Sequence, residues 1–401
     1  MKALKIIGCI IVVIAVAIFA ASMVNKNVVA KDIEFAKSFD KVVYENQLVP
    51  QKDSDGNWVF NTDRDLKVLQ LTDVHIGGGF LSADEDKMAL NAIAAMVTAE
   101  KPDLVIITGD MVFPVPYDVG TISNRTSTEI LINLMETLGV YYTVTLGNHD
   151  SEIYSTTSRE KISDMWGNEN LTYSIYHAGP ESVDGYGNQI IKVKNSQGIV
   201  KNAFFLLDSH SYTDGDYLGL FWKYDSLHKN QIKWYEQSVL KIDKENKAID
   251  PECELFSSLA FLHIPVEEYG IAWDEYKANG YKDTDNVKLI YGGYHETDEK
   301  SYCGVYPEQF FETVLKLGST KGLFCGHDHI NNAVLDYKGV KLVYGNSIDY
   351  TAYSSIDEQG AQRGCTVITL SQQGELSVSH ENYYSDKYIS KYDKEEVTMQ
   401  W

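Results

Sequence analysis

The sequence predicts an α/β protein in which two mixed β-sheets pack face to face and helices cover their outer faces, a four-layer αββα sandwich. Two observations predict this fold class. Apolar strand-like runs alternate with helix-like segments in the first half, and closely spaced strand-like runs fill much of the second half. Alternation of strand and helix is typical of a parallel sheet that is covered by helices on its outer face.

The first predicted sheet contains three strands and two helices. Strands are expected at Leu66–Leu71, Leu104–Thr108 and Tyr141–Leu146, with helix-like segments at Ala83–Glu100 and Ser127–Leu138 between them. The resulting βαβαβ order brings the carboxyl ends of the strands to one edge, where ligands bind in such sheets.

The second half predicts a second, more antiparallel sheet, with a hairpin turn at residues 336–339. Helices around Asn230–Leu240 and Glu308–Leu317 are expected to cover it. Its predicted strands are Ala203–Leu207, Leu259–Leu262, Gly322–Cys325, Ala333–Tyr337, Val340–Tyr344, Cys365–Leu370 and Leu376–His380.

Residues 1–30 are predicted to be a membrane anchor or a signal peptide. Lys2 and Lys5 precede an uncharged stretch from Ile6 to Asn25 that is long enough to cross a bilayer. The positive flank comes first, so the rest of the chain should face away from the cytoplasm. Small residues at 20–22 and 28–30 offer cleavage sites. We therefore expect an extracytoplasmic protein, either anchored at its N-terminus or secreted.

Two further regions follow the anchor. Residues 31–65 are mixed and charged and are expected to form a tether and a hairpin that leads into the body. Residues 66–401 are expected to form one catalytic domain, because no linker divides them.

Net charge excludes some partners. The chain carries a formal charge of -22, and residues 1–30 contain three lysines and no acid, so residues 31–401 carry -25. A polymeric nucleic acid or an anionic lipid surface would be repelled. A small or exposed phosphate ester remains a possible substrate, because a metal ion can dominate the charge of its own pocket. The sequence leaves the oligomeric state open.

Five polar clusters occur along the chain, and four of them directly follow apolar runs. The clusters are Asp73-Val74-His75, Gly109-Asp110, Gly147-Asn148-His149-Asp150, His263 and Gly326-His327-Asp328-His329. Each alone has an ordinary explanation, such as a surface turn or, for His263, a buried core histidine. Together they offer carboxylates, an amide and imidazoles, which suit a pair of divalent transition metals.

The clusters also suggest separate roles. In extended segments Asp73 and His75 would face one side, as would His327 and His329. Asp110 could bridge two cations with its two oxygens. His149 could donate a proton to a leaving oxygen while Asp150 orients it.

The joint order Asp-x-His, Gly-Asp, Gly-Asn-His-Asp, His, Gly-His-x-His resembles the calcineurin-like metallophosphoesterase superfamily. Leu207-Asp208-Ser209, the segment from Gln231 to Trp234, and Cys325-Gly326-His327-Asp328-His329 resemble its purple-acid-phosphatase-like branch.

This resemblance implies two divalent metal ions, each of them manganese, iron, zinc or magnesium. Asp73, His75 and His329 would hold the first, Asn148, His263 and His327 the second, and Asp110 would bridge them. Purple acid phosphatases have a tyrosine where this chain has Phe113. Without that phenolate, two divalent ions are expected instead of a mixed-valence pair.

The expected function is an exported phosphoesterase that hydrolyses phosphate monoesters or diesters by attack of a metal-bound hydroxide, with His149 as proton donor. The alternative is a catalytically silent, metal-containing surface binding protein of the same fold. The presence of both His149 and Asp150 argues against that alternative, because a structural metal centre needs no proton donor. An amidohydrolase is disfavoured, because its His-x-His motif comes early in the chain.

Overall fold

The computed structural model describes residues 21–213, 215–356 and 362–397. Most of the predicted N-terminal anchor therefore lies outside the described residues. Residues 21–37 are helical, so the expected tether begins as a helix, which packs Val29 and Ala36 into the core. Within the described residues no helix has both the length and the apolar character that crossing a membrane requires.

Fourteen strands and eight helices make up the described chain. The helices are α1 (21–37), α2 (Ala83–Glu100), α3 (Pro116–Val119), α4 (Asn124–Leu138), α5 (Arg159–Trp166), α6 (Lys229–Ile249), α7 (Glu268–Ala278) and α8 (Phe310–Leu317). The strands are β1 (Gln51–Lys52), β2 (Trp58–Asn61), β3 (Leu66–Leu71), β4 (Leu104–Thr108), β5 (Tyr142–Thr145), β6 (Gln189–Lys194), β7 (Val200–Leu206), β8 (Ser257–Phe261), β9 (Val287–Tyr291), β10 (Thr320–Cys325), β11 (Val334–Tyr337), β12 (Val340–Tyr344), β13 (Gly364–Leu370) and β14 (Leu376–Asn382).

The strands form two mixed sheets, as predicted. The five-stranded sheet has the order β14-β13-β3-β4-β5, and the nine-stranded sheet has the order β1-β2-β6-β7-β8-β10-β12-β11-β9. Strands β3, β4 and β5 run parallel. The nine-stranded sheet has four parallel and four antiparallel neighbouring pairs, and the five-stranded sheet has two of each. The second sheet is therefore not the more antiparallel one, and that expectation is wrong.

Strands β13 and β14 were expected in the second sheet but belong to the first. β13 pairs antiparallel with β3, with Val367 opposite Leu69. Without β13, the buried edge of β3 would have backbone N–H and C=O groups without partners. The end of the chain therefore completes the sheet that the beginning of the catalytic body starts.

Side-chain alternation along β3 shows how the four layers form. Leu66 and Val68 point into the core between the two sheets. Leu69 and Leu71 point to the opposite face, where they pack with α2 and α4. A third core lies under α6, α7 and α8, on the outer face of the nine-stranded sheet. Both sheets are thus buried on both faces, and this accounts for their continuous apolar runs.

Parallel pairing aligns the strand ends that carry the polar clusters. Leu71 lies opposite Ile107, and Thr108 lies opposite Thr145, so the loops after β3, β4 and β5 leave the sheet at one edge. Phe261 of β8 lies opposite Phe324 of β10 in the second sheet. All five clusters consequently reach the same end of the sandwich.

Candidate metal centre

All seven predicted ligand residues meet at this end of the sandwich. Donor atoms within 4.8 Å of one another form two groups that share one residue, Asp110. The first group is Asp73, His75, Asp110 and His329, and the second is Asp110, His263 and His327. The amide oxygen of Asn148 lies 3.1 Å from His263 Nε2, which places it beside the second group. The arrangement matches two adjacent metal sites bridged by one carboxylate.

Four of these residues have a left-handed backbone. The φ angles are 48° at Asp73, 53° at His75, 47° at Asp110 and 77° at His327. For residues other than glycine this conformation costs about 1–3 kcal/mol each and concentrates at functional sites. The predicted extended geometry of Asp-x-His and His-x-His is therefore wrong. Tight turns, not strand alternation, bring these side chains together.

Two motif glycines provide the space for the ligands. A Cβ atom on Gly147 would lie 2.1 Å from Asp110 Oδ1, and one on Gly109 would lie 2.4 Å from the His263 ring. Gly109 also has a φ of +83°, which other residues rarely adopt. The glycines in Gly-Asp and Gly-Asn-His-Asp thus let the side chains that surround Asp110 pack directly against the backbone.

Asp349 supports the imidazoles of the first group. His75 Nδ1 lies 3.2 Å from Asp349 Oδ1, and His329 Nδ1 lies 3.2 Å from Asp349 Oδ2. The same carboxylate accepts backbone N–H groups from Thr351, Ala352 and Tyr353. A carboxylate behind a metal-binding imidazole fixes its orientation and raises its basicity. One carboxylate performs this role for two histidines.

A backbone carbonyl orients His263 in the second group. Its Nδ1 lies 2.8 Å from the Thr108 carbonyl oxygen, so Nδ1 carries the proton and Nε2 faces Asp110 Oδ2 at 3.2 Å. Asn148 Nδ2 donates to the Tyr212 hydroxyl at 3.0 Å, which leaves the amide oxygen directed at the centre. The side chains of the second group are thus oriented by neutral groups, the Thr108 carbonyl and the Tyr212 hydroxyl.

Electrostatics keep the shared carboxylate charged. Burial would raise the pKa of Asp110, but His263 and His149 hold it well below its usual range. Burial would lower the pKa of His263, but the charge of Asp110 raises it to about 9. Burial and the neighbouring His263 lower the pKa of His327 well below its usual value. A buried anion surrounded by imidazoles is the charge pattern that a cation would complete.

Several buried atoms of the ligand residues have no hydrogen-bond partner in the described part of the chain, which fits a site that binds metal ions. Asp110 Oδ2, His75 Nε2 and His327 Nδ1 are buried and have no hydrogen-bond partner within the described residues. Buried polar atoms usually have partners, so a group of them facing one another indicates a missing ligand. Carboxylate, amide and imidazole donors suit divalent transition metals.

His149 stands beside the centre but is oriented by a residue that was not predicted. Its Nδ1 lies 2.7 Å from Glu152 Oε1, and that oxygen also accepts the Tyr212 hydroxyl at 3.1 Å. The predicted pairing of His149 with Asp150 is wrong. The Asp150 carboxylate instead accepts the N–H groups of Gly147, Met111 and Val112, which ties the loop after β5 to the loop after β4. The role of Asp150 in this arrangement is therefore structural, since it connects these two loops.

A cavity of about 250 Å³ opens onto the centre. Asp110, His149, His327 and His329 line its inner end. Its walls also include Asp328 of the last cluster and six residues from outside the motifs, namely Trp222, Tyr224, Glu296, Thr297, Tyr302 and Tyr353. Phe113 packs against His75 and His149, with ring centroids 5.1 and 5.0 Å apart, so no phenolate occupies that position.

Sequence reasoning missed Asp349, Glu152 and Glu296. A weak signal existed for Glu152, because it lies three residues after His149 and a tight helical turn brings such pairs together. Asp349 follows the end of β12, so the strand-exit rule that located the ligands could also have located it. Glu296 precedes a short irregular turn and has no comparable sequence signal.

Three known proteins illustrate what this chain is similar to. The chain is 27% identical over 320 residues to probable inactive purple acid phosphatase 14 of Arabidopsis thaliana, covering 74% of each chain. It is 24% identical over 298 residues to phosphatase DCR2 of Saccharomyces cerevisiae, covering 67% of this chain and 45% of DCR2. A solved dimetal phosphatase from Danio rerio aligns with 80% of this chain and 97% of its own, at 13% identity and a TM-score of 0.47.

The sequence model of one family matches the region that contains all seven predicted ligands. That model, calcineurin-like phosphoesterase, matches residues 66–331. The match begins at the first residue of β3 and ends just after the His-Asp-His turn, so it includes all five polar clusters. The predicted resemblance is confirmed, and the chain belongs to the calcineurin-like phosphoesterase family.

Proposed function

We propose that this chain is an exported phosphoesterase that hydrolyses phosphate monoesters or diesters with two divalent ions. One observation carries the proposal: two buried ligand groups share Asp110 beside an open cavity. A structural metal site is closed on all sides, whereas a catalytic site leaves a position open to substrate. Manganese, iron, zinc and magnesium are the candidate ions.

Bound ions would supply a nucleophile near neutral pH and would stabilise the charge that develops on phosphate. The residues of the chain supply the remaining chemistry. His149 lines the cavity, and its contact with Glu152 through Nδ1 leaves Nε2 free to protonate the departing oxygen. Glu152 fixes the orientation of the imidazole through this contact.

The charge of the chain limits the substrate. A net charge of -22 repels extended polyanions, so the proposed substrate is a small or exposed phosphate ester. The uncharged N-terminal segment that follows Lys2 and Lys5 supports export, with the membrane as a partner if the segment is retained.

The test uses the full-length chain in mild detergent, loaded in turn with each candidate ion. We expect hydrolysis of 4-nitrophenyl phosphate or bis(4-nitrophenyl) phosphate with at least one ion. His149→Ala should slow hydrolysis of an alkyl phosphate by about 10²–10⁴-fold, because a poor leaving group needs the proton. The aryl esters should change by less than about tenfold, because a nitrophenolate leaves without a proton.

A matched control is His177→Ala, which removes an exposed histidine far in sequence from the motifs. It should leave both rates unchanged. Equal loss on alkyl and aryl esters in His149→Ala would contradict a proton-donor role. Unchanged rates on both would contradict it equally.

A second candidate is a catalytically silent binding protein, and the names of relatives such as probable inactive purple acid phosphatase 14 favour it. It predicts bound metal and saturable binding of inorganic phosphate without turnover by any loaded form. The His149–Glu152 pair beside the cavity supports the enzyme instead, because binding alone needs no oriented proton donor.

A further inference from the structure

A third cluster of metal-type side chains lies outside the dinuclear centre. Donor atoms of His210, Asp225 and His228 lie within 4.8 Å of one another. The two imidazole rings are stacked, with centroids 4.0 Å apart and an angle of 23° between planes. His228 Nε2 lies 3.4 Å from Asp225 Oδ2.

Each imidazole is oriented through one nitrogen. His228 Nδ1 lies 2.8 Å from Asp184 Oδ2, and His210 Nε2 lies 2.9 Å from Gln231 Oε1. When these nitrogens donate, His228 Nε2 and His210 Nδ1 keep their lone pairs. Supporting acceptors of this kind are typical of metal-binding histidines. Gln231 is itself buried and fixed through Nε2 by Asn188 and by the Asp208 carbonyl.

Charge at the cluster favours a cation. His228 directly precedes α6, and the positive end of a helix dipole, about half a charge, opposes cation binding there. Asp184 and Asp225 bring two negative charges next to the same imidazoles, which outweighs the dipole. The His228 side chain is 40% exposed, so an ion can enter from solvent.

The cluster joins the two ends of one loop. His210 directly precedes residues 211–225, Asp225 is the last of them, and His228 follows three residues later. Backbone hydrogen bonds from Thr213 to Lys223 and from Asp225 to Ser211 close the base of this loop. The loop carries Trp222 and Tyr224 to the wall of the catalytic cavity. An ion at its base would fix that wall.

We propose that His210, Asp225 and His228 bind a third divalent ion, of the zinc class, that clamps the base of the 211–225 loop. Two imidazoles and a carboxylate are a donor set that zinc accepts, with water as the fourth ligand. Zinc–ligand distances near 2.1 Å bring donor atoms to about 3.4 Å from one another. The partly exposed side chains close onto the ion by rotation about their own bonds.

Metal content provides the first test. The full-length chain is stripped with a chelator, saturated with Zn²⁺ and freed of excess ion. The wild type should hold one more zinc ion per chain than His228→Asn, in which asparagine keeps a good residue at the start of α6 but removes the imidazole. His177→Asn is the matched control and should bind as much zinc as the wild type. Equal zinc content in the wild type and His228→Asn overturns the proposal.

Proteolysis tests the clamp. Lys223 is exposed on the loop, so trypsin should cleave after it when the loop opens. Zinc at ten times its dissociation constant should slow that cleavage about tenfold in the wild type, because the ion binds only the closed loop. Asp225→Asn keeps an acceptor for the Ser226 N–H but removes the charge, and should abolish the zinc effect. Zinc protection that persists in Asp225→Asn overturns the clamp.

A measurement on the wild type alone covers the case in which the variants fail to fold. Diethyl pyrocarbonate modifies accessible imidazoles, and mass spectrometry locates each modified histidine. Zinc should protect His210 and His228 at least about tenfold while His177 stays reactive. Equal modification of His210 and His228 with and without zinc shows an ion-paired network without a metal and overturns the proposal.

Discussion

The two halves of the dinuclear centre share Asp110 but differ in the groups that surround it. The first half adds the carboxylate of Asp73, and Asp349 supports both of its histidines. The second half adds the neutral amide of Asn148, and the Thr108 carbonyl supports His263. Carboxylates attract a divalent ion more strongly than neutral dipoles do. The first half should therefore bind its ion more tightly.

The largest expected effect comes from Asp110→Asn, which keeps the shape of the shared residue and removes its charge. The second half loses its only carboxylate, whereas the first half keeps Asp73. We expect one bound ion per chain instead of two, and a fall in phosphoesterase activity of about 10³-fold or more, since two-metal stabilisation is worth several kcal/mol.

Metal analysis and the initial rate on an aryl phosphate test this change together. Asp336→Asn, a partly exposed residue of β11 whose carboxylate accepts the Gly339 N–H, is the control and should behave as the wild type. Retention of two ions with full activity would show that Asp110 does not bridge them.

Asp349→Asn should weaken the ion of the first half and so reduce the difference between the two affinities. The variant removes the negative charge behind His75 and His329 but leaves every direct ligand in place. Loss of such a supporting carboxylate lowers metal affinity by about 10–100-fold. Isothermal titration of the stripped protein should show a weaker first ion and an unchanged second ion. Equal weakening of both ions would mean that Asp349 supports the fold of the whole site.

The difference in affinity between the two ions can also be measured directly in the wild type, where the expected effect is smaller. A graded series of chelator concentrations should remove the two ions in separate steps, with dissociation constants at least about tenfold apart, the lower bound for one supporting carboxylate. Metal content against chelator concentration gives both constants. A single step that removes both ions would refute the asymmetry.

The same contrast shows what the sequence could and could not predict. The strands and ligands of the first sheet were predictable because buried runs such as Leu104–Thr108 end directly at polar motifs. The left-handed turns at Asp73 and His75 were not, because a positive φ is uncommon for any residue other than glycine and nothing in the local sequence marks these two positions. They are held by contacts with distant segments, such as the backbone bond from His75 to Asp110.

Long-range context also explains the missed elements and supports. Strand β6 was overlooked because Lys192 and Lys194 interrupt its apolar pattern. In the fold Lys192 is buried and its Nζ pairs with Asp53 at 2.9 Å. Asp349 was overlooked because it lies five residues after the end of β12 and not in a polar motif directly at the strand end. Its partners His75 and His329 come from two other strand ends, and only the folded sheets bring all three together.

The smallest effect is expected at Tyr212, which distinguishes the second half from the first. Its hydroxyl accepts a hydrogen bond from Asn148 and donates to Glu152. Tyr212→Phe keeps the ring but frees the Asn148 amide to rotate, and one such hydrogen bond is worth about 1 kcal/mol, or about fivefold. Affinity for the weaker ion should fall about fivefold, while the tighter ion should be unaffected.

Tyr224→Phe is the matched control for Tyr212→Phe. Tyr224 contacts His327 through its ring, with centroids 4.2 Å apart, so removal of its hydroxyl leaves that contact in place. Both variants lose one hydroxyl from the same loop, but only the Tyr212 hydroxyl accepts a hydrogen bond from a ligand residue of the second half, Asn148. A fivefold loss of the tighter ion in Tyr212→Phe would reverse the assignment of weak and tight sites. A loss of the weaker ion in both variants would assign the effect to the loop as a whole.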